Sequence, residues 1–279
     1  MAPRAGVVGH VEWVDFAIVE RLPGPGAIVH AQEHFAEAGG GGAVAAVQMR
    51  RLTGACTFLT AVGEDRLGDL AVERLRGAGV AVHAARRARE QRRAFTYLDA
   101  RHERTITVLG PRCVPHRDDA LPWDALGELD AVYVTGGDAG AIRAARSARV
   151  VVATPRALPA LAEAQVELDA LVASATDPGE RVAAGELDPP PRLVVLTRGG
   201  KGGDWTAAEG RTGTWEAAGL PGPPVDSYGA GDSFAAGLAL ALGAGRGVEA
   251  ALAYAARCGA LCMTGRGPYG ADLSVIGPP

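Results

Sequence analysis

"VDSYGAGDSFAAGLALAL", residues 225–242, decides the fold, because a tight turn of small residues runs straight into a long apolar stretch. Gly229, Ala230 and Gly231 let backbone N–H groups come close to a ligand, and the run behind them predicts a helix over 232–243. A helix N-terminus presents unpaired N–H donors and the positive end of the helix dipole. Placed behind such a turn, it suits a cluster of phosphate oxygens. Asp232 or Ser233 would serve equally well as a plain helix cap, since both side chains accept from backbone N–H groups. These residues alone leave both readings open.

Upstream, AGVVGH reads as a short buried strand, while VEWVDFAIVE and AIVHAQEHF alternate as half-exposed strands do, with the turn LPGPG between them. The glycine run Gly39–Gly42 feeds a helix, AVAAVQMRRL. ACTFLTAVG is a strand, GDLAVERLRGAG a helix closed by glycine, and VAVHA another strand. AFTYLDA and RTITVL form a hairpin around RHE. The apolar runs DAVYVTGG, RVVVAT, DALVAS and RLVVLT alternate with helices over 138–147 and 157–168, and a last helix covers 247–264. Apolar strands alternating with amphipathic helices imply an α/β fold, a mostly parallel sheet covered on both faces. The one-sided pieces at 11–35 and 94–109 break that alternation and predict a small β-sheet lid inserted into a single body spanning 1–279.

Composition excludes several classes. With 48% apolar residues in 279, the chain has material for one large core. A net charge of −4 gives no general electrostatic footprint for nucleic acid. No apolar stretch approaches the roughly 18 residues of a membrane span and the start lacks a signal-peptide core, so no membrane partner and a cytoplasmic location are expected. Cys56, Cys113, Cys258 and Cys262 form no C-x-x-C pair and read as reduced, buried thiols. The six histidines show no metal-ligand spacing, and the basic run at 84–93 reads as a solvated segment, with anion binding as the alternative, Arg92 and Arg93 pointing toward a phosphorylated acceptor. GRGPYG (265–270) follows a helix instead of a strand, and GGKGG (199–203) lacks the Ser or Thr of a P-loop, so neither is a nucleotide fingerprint.

Set in that order, DSYGAGDSF closely resembles the C-terminal signature of the ribokinase-like (PfkB) family of carbohydrate kinases, usually written D-T-x-G-A-G-D-x-F. GGGGAVAAVQMRRLTGACTFLTAVGEDRLG (39–68) resembles the family's glycine-rich segment, helix and V-G-x-D-x-x-G sequence. LDARHERTITVL (98–109) is similar to its lid hairpin, and LVVLTRGGKGG (193–203) to the strand and turn beside its nucleotide site. The resemblance implies a ribokinase-like three-layer sandwich with a lid, and ATP-dependent phosphorylation of a hydroxyl on a sugar or sugar-like molecule.

Residue by residue, the resemblance makes Asp232 the base that takes the acceptor's proton and the Gly229, Ala230, Gly231 turn an anion hole. A carboxylate at a helix N-terminus is expected to titrate at roughly 4 or lower. Asp15 becomes the acid that binds a sugar diol, with Glu12 competing for that role, and Gly39 and Gly40 bring backbone against the sugar. Val44 stands where relatives carry a substrate-contacting Asn. Thr197 and Gly199 fall near the nucleotide phosphates, Gly202 near the base or ribose, and Cys258 on a small-residue face that would pack on adenine. Asp177, in SATD, is a ligand to magnesium through water, and Asp226 contributes to a monovalent-cation site such as one for K+. Arg104 resembles the Arg of the lid hairpin. The partners implied are ATP with Mg2+, a sugar or nucleoside, and a second copy joined through the lid. Alternatives are a nucleoside or vitamin-precursor kinase, with Trp13 or Phe16 stacking on a base, and a non-catalytic sugar-binding relative.

Overall fold

The Ala-Gly-Val-Val run of β1 (Ala5–Val8) is buried along its whole length. A strand with no solvated face needs cover on both sides, and the surrounding elements supply it. A computed structural model of the protein describes residues 1–100, 104–183 and 185–279; the RHE turn of the expected hairpin, at 101–103, lies outside them. After β1 come β2 (Glu12–Ile18), β3 (Glu33–Gly39), α1 (Gly41–Thr53), β4 (Thr57–Gly63), α2 (Arg66–Gly77), β5 (Ala81–Arg87), β6 (Arg93–Leu98) and β7 (Arg104–Leu109). The second half adds β8 (Ala131–Val134), α3 (Ala139–Ala145), β9 (Val151–Ala153), α4 (Leu158–Ala164), β10 (Ala170–Ser174), β11 (Leu193–Thr197), β12 (Gly203–Ala207), β13 (Thr212–Trp215), α5 (Ala230–Gly243) and α6 (Val248–Cys262).

Nine strands form one sheet in the order β13-β12-β11-β10-β9-β8-β1-β4-β5, parallel from β11 to β5 and antiparallel at the β12–β13 edge. Core residues of α1, α2, α5 and α6 cover one face, and those of α3, α4 and a short helical turn at Trp123–Glu128 cover the other. The result is the three-layer α/β sandwich expected. Helix α5 is apolar nearly all round, with Phe234, Leu238 and Leu240 buried. Such a helix is stable only when enclosed, and it lies between the sheet, α1 and α6. Each large side chain so buried contributes about 1.5–3 kcal/mol.

The second sheet has the order β3-β2-β6-β7 and packs Val14, Phe16, Ala94 and Leu98 against Val44 and Tyr228 of the body. Its third element differs from expectation, because AIVHAQEHF pairs only from Glu33 onward. Pro23, Gly24, Pro25 and Gly26 keep the preceding segment in a loop, Ile28 is exposed, and the register is set by Gly39 opposite Glu12. Two further differences concern ends and edges. Helix α5 begins at Ala230, since Gly229 takes the cap position with φ +83° and no side chain caps it. The hairpin of β12 and β13 was absent from the expected element order, and β5 absorbs the start of the basic run at 84–93.

Candidate active site

Parallel α/β sheets open a crevice beyond the carboxyl ends of their strands, where neighbouring connections diverge. Strand β1 is that divergence point here, lying between β8 and β4. His10, Thr135 and Thr154, just past β1, β8 and β9, and Ser174 at the end of β10 line a cavity of about 780 Å³. Asp232 and the turn Gly229–Gly231 form part of its wall, so the motif that opened the sequence reading stands where a ligand can reach it.

The turn is built from both ends of the chain. Gly229 has left-handed backbone, and a Cβ there would sit 3.0 Å from Val44 Cγ1. Val44 is therefore fully buried behind the turn, packing partner instead of substrate contact, and the missing Asn leaves no hole in the cavity wall. The Tyr228 hydroxyl accepts the Gly40 N–H at 3.0 Å, which fixes the glycine segment to the turn. A Cβ on Gly41 would fall 2.7 Å from Asp232 Oδ1, so that carboxylate lies directly against the backbone of α1's first residue. At the start of α5, the N–H groups of Gly231 and Asp232 have no acceptor one turn back in the helix. The Ala230 N–H is held weakly by the Ser227 carbonyl at 3.4 Å.

Burial holds the Asp232 carboxyl up at about 6, with Glu180 and Glu12 adding to the rise and Arg104 opposing it. This reverses the expected value of roughly 4, because loss of water outweighs the helix N-terminus. Arg104, from the lid hairpin, donates to the Ser227 carbonyl and closes the lid edge onto the turn.

On the lid side of the cavity stand His10, Glu12, Gly40 and Gly41. Here the sequence expectation is corrected. Side chains alternate along β2, and Glu12 shares its face with Val14 and Phe16 toward the body, while Asp15 points to the other face. Asp15 is paired there with Arg93 at 3.0 Å and His34 at 3.7 Å, and it does not line the cavity. Glu12 takes the lining position, 7% exposed, with Arg92 Nε 2.6 Å from its Oε1 and His10 Nε2 at 3.5 Å. Burial raises the Glu12 carboxyl above the usual range, against the pull of Arg92 and Arg112. Burial, helped by Arg112 and Arg92, pushes His10 well below its ordinary value and keeps the ring neutral. Gly39 lies behind this wall, where a Cβ would strike the Tyr228 hydroxyl and Val14 at 2.7 Å each.

The opposite end of the cavity is lined by Ser174, Thr176, Asp177, Thr197, Gly199 and Gly200. Space around Gly199 and Gly200 is open, which suits a nucleotide. Gly202 is not among the lining residues. Its φ of +74° and the Trp215 carbonyl 2.0 Å from a would-be Cβ make it a turn residue between β11 and β12. Cys258 is fully buried with its Sγ 2.8 Å from a would-be Cβ on Gly237, so the small-residue face of α6 packs on α5 and not on a ligand. Trp13 and Phe16, offered above as base-stacking aromatics, are 8% and 0% exposed and line no part of the cavity.

The metal expectations meet occupied carboxylates. Asp177 Oδ1 accepts the Gly179 N–H at 2.8 Å and Oδ2 pairs with Arg156, which also holds Glu180. Glu180, unmarked in the sequence reading, lines the cavity and accepts the Ser174 N–H at 2.8 Å. Asp226 is buried and accepts from the N–H groups of Tyr228 at 2.8 Å and Gly267 at 2.9 Å, holding the loop ahead of the turn. Among the described residues no group of three or more His, Cys, Asp or Glu could hold a metal ion, and no helix is long and apolar enough to cross a membrane. The sequence reading also missed Arg112, Arg156 and Thr135, which come from segments without a motif and meet only in the fold.

Comparison with known proteins agrees with this geometry. The chain is 31% identical to an ATP-dependent ribose-1-phosphate kinase of Halopiger xanaduensis, over 91% of this chain and 89% of that protein. Among solved structures, the ribokinase of Arabidopsis thaliana complexed with ribose and ATP superposes with a TM-score of 0.74 at 21% identity, covering 99% of this chain and 98% of that one. The adenosine kinase of Sinorhizobium meliloti gives a TM-score of 0.77 at 17% identity, covering 99% and 98%. These two likenesses establish the shared fold. The family model described as pfkB family carbohydrate kinase matches residues 4–274, nearly the whole chain, and the protein belongs to that family.

Proposed function

We propose that Asp232 is the base through which this carbohydrate kinase moves the terminal phosphoryl group of ATP onto a hydroxyl of a sugar. One observation carries the reading: the carboxylate lies on the wall of the cavity, at the first turn of α5, between the lid-side residues and the open glycine turn after β11. A carboxyl held near 6 is ionised at neutral pH and still a better proton acceptor than an ordinary aspartate. The N–H groups of Gly231 and Asp232, without an acceptor in the helix, are the donors for charge that develops on the transferred group, and donors of this kind contribute about 3 kcal/mol each. Phosphoryl transfer asks for little more than such positioning and charge balance. Glu12 and the Gly40–Gly41 backbone hold the acceptor, and Thr197 and Gly199 border the phosphates.

ATP brings its magnesium with it. Asp177 and Glu180 are already neutralised by Arg156, so they suit contact with the ion through water better than direct ligation. A monovalent cation has Asp226 as its one carboxylate candidate, with both oxygens already accepting N–H groups. The four-stranded lid favours a sugar kinase over the vitamin-precursor reading, and the enclosure of Trp13 and Phe16 removes the support for base stacking. Strand β7 is an edge strand exposed along its length, with Ile106, Val108 and Leu109 outward, which supports pairing with a second copy. A cytoplasmic location follows from the chemistry, since ATP is the phosphoryl donor.

The test is ADP release with ATP and magnesium across pentoses, hexoses, their phosphates and nucleosides, beside Asp232→Asn. Ribose-based acceptors come first, given the ribose-1-phosphate kinase relative. A sugar-dependent signal lost about 10²–10⁴-fold in the variant is expected. Ligand-induced thermal stabilisation with no turnover would instead identify a non-catalytic sugar-binding protein.

A further inference from the structure

One stretch that stood out in the sequence has no part in the chemistry above: Val-Gly-Glu-Asp-Arg-Leu-Gly, residues 62–68, where β4 turns into α2. None of these residues lines the cavity. Its glycines serve close backbone approach. A Cβ on Gly63 would fall 2.3 Å from the Gln91 nitrogen and 2.7 Å from the Arg89 carbonyl oxygen, and one on Gly68 would fall 2.3 Å from the Gly63 carbonyl oxygen. Asp65 commits both of its carboxylate oxygens. Oδ1 accepts the Gly68 N–H at 2.8 Å and caps α2, while Oδ2 accepts the Gln91 N–H at 2.8 Å. The Gln91 side chain, 2% exposed, accepts the Gly63 N–H at 3.0 Å through Oε1. Its Nε2 donates to the Val11 carbonyl at 2.8 Å and, more weakly, to the Arg92 carbonyl at 3.4 Å. An amide oxygen only accepts and an amide nitrogen only donates, so these partners fix which way the group faces. Val11 directly precedes β2 and Gln91 stands just ahead of β6, so the node lies where two lid strands leave the body.

We infer that Gln91 is the positioning residue of the acceptor wall: clamped by the Gly63–Gly68 turn, it holds the Val11 carbonyl and through it sets the place of Glu12 in the cavity. This role rests on the kinase reading above, in which Glu12 holds the acceptor, and names what holds Glu12. As the first residue of β2, Glu12 is paired on one side only, opposite Gly39 of β3. On the β6 side the ladder begins one residue later, at Trp13 opposite Arg93. Gln91 supplies the tie that the ladder lacks, and the Trp13 N–H continues it by donating to the Arg92 carbonyl at 3.0 Å. The same tie sets Arg92 against the Glu12 carboxylate, Nε to Oε1 at 2.6 Å. Buried networks whose members are all satisfied rigidify the junction they span. Here that junction separates a body built on β4 and α2 from an acid that must meet sugar hydroxyls within hydrogen-bond range. The nucleotide end of the cavity comes from β10, β11 and α5, which the Gln91 bonds do not reach, so loss of the tie falls on the acceptor.

The experiment uses the whole protein and two measurements. ADP release with ribose and with ribose 1-phosphate gives the KM of acceptor and of ATP, and amide hydrogen exchange without substrate reports local opening. The wild type is compared with Gln91→Met, which keeps the length and removes both bonds, and with Gln91→Glu, which keeps the Gly63 bond alone. Glu12→Gln is made singly and together with Gln91→Met. Leu161→Ala, in α4 on the opposite face of the sheet and 2% exposed, supplies a loss of stability remote from the lid. Expected in both Gln91 variants is a rise of about tenfold or more in acceptor KM, with kcat and ATP KM within about threefold. In the Glu12→Gln background Gln91→Met should add less than about twofold, because it acts through that acid. Exchange should quicken over 9–18 and 61–66 and stay unchanged over 131–134, while Leu161→Ala melts lower with its acceptor KM unmoved. An acceptor KM unmoved by Gln91→Met but raised by Glu12→Gln overturns the inference and leaves the kinase reading standing. Full additivity of the two changes overturns it as well, and so does a rise in acceptor KM in Leu161→Ala. A KM that neither Glu12→Gln nor Gln91→Met alters removes Glu12 from the acceptor and the inference with it. Absence of ADP release with every acceptor sinks the kinase reading itself, and the exchange pattern alone then decides whether Gln91 holds β2.

Discussion

The Gly40 N–H and the Tyr228 hydroxyl, 188 positions apart in the chain, meet in a buried hydrogen bond of 3.0 Å. That bond joins the glycine segment on the acceptor side to the turn that carries Asp232. Tyr228→Phe keeps the ring and its edge contact with Phe16 at 5.0 Å but leaves the Gly40 N–H buried and unpaired. The expected loss is about 1–3 kcal/mol of stability in urea unfolding, with a several-fold rise in acceptor KM. Unchanged stability would mean that the bond holds nothing together.

The Asp232 carboxyl sets a pH dependence of known sign. Its value rises from 3.8 to about 6 on folding, so between those limits the folded state binds the extra proton. Stability therefore falls as pH rises through that window and stays lower above it. Asp232→Asn should melt higher than the wild type at pH 8, and the gap should close near pH 4. Activity runs the other way: kcat/KM climbs with unit slope below about 6 and levels off above it. Arg104 lowers the Asp232 value, so Arg104→Met should move that acid limb to higher pH.

Gly41 tests contact with the base directly. A methyl group there would need the 2.7 Å now separating it from Asp232 Oδ1, and the side chain must rotate away. Gly41 has ordinary helical backbone, so Gly41→Ala should leave the melting temperature within a few degrees. Its kcat should drop at least 10²-fold, the scale of a misplaced catalytic group.

Glu12 and Asp15 form a matched pair of tests, three residues apart on one strand but on opposite faces. Glu12→Gln should raise acceptor KM tenfold or more with ATP KM unchanged. Asp15→Asn breaks only the outer pairing with Arg93 and His34 and should stay within twofold on both. Steady-state kinetics with the preferred acceptor decides between them.

Those two acids also mark how far a sequence can be read. The turn before α5 was legible because its function is local: small residues, a helix start and an acid are adjacent in the chain. The alternation of buried strands and helices gave the layers for the same reason. Which acid of β2 faces the cavity depends instead on the register of β2 against β3, fixed by Gly39 opposite Glu12, and alternation alone offers both faces. Arg112 and Arg156 carry no motif at all, since only tertiary packing brings them beside Glu12. Cys258 shows the converse, a small-residue stripe whose spacing suits a ligand but whose partner is Gly237 of the neighbouring helix.

The last turns of the chain are stapled to the first helix. Gln48 and Arg51 of α1 donate to the carbonyls of Pro268, Tyr269 and Ala271, and the Tyr269 hydroxyl donates back to the Ala38 carbonyl. Loss of the segment from Pro268 to Ala271 would strip Gln48 and Arg51 of their acceptors and loosen α1, whose first residue lies against Asp232.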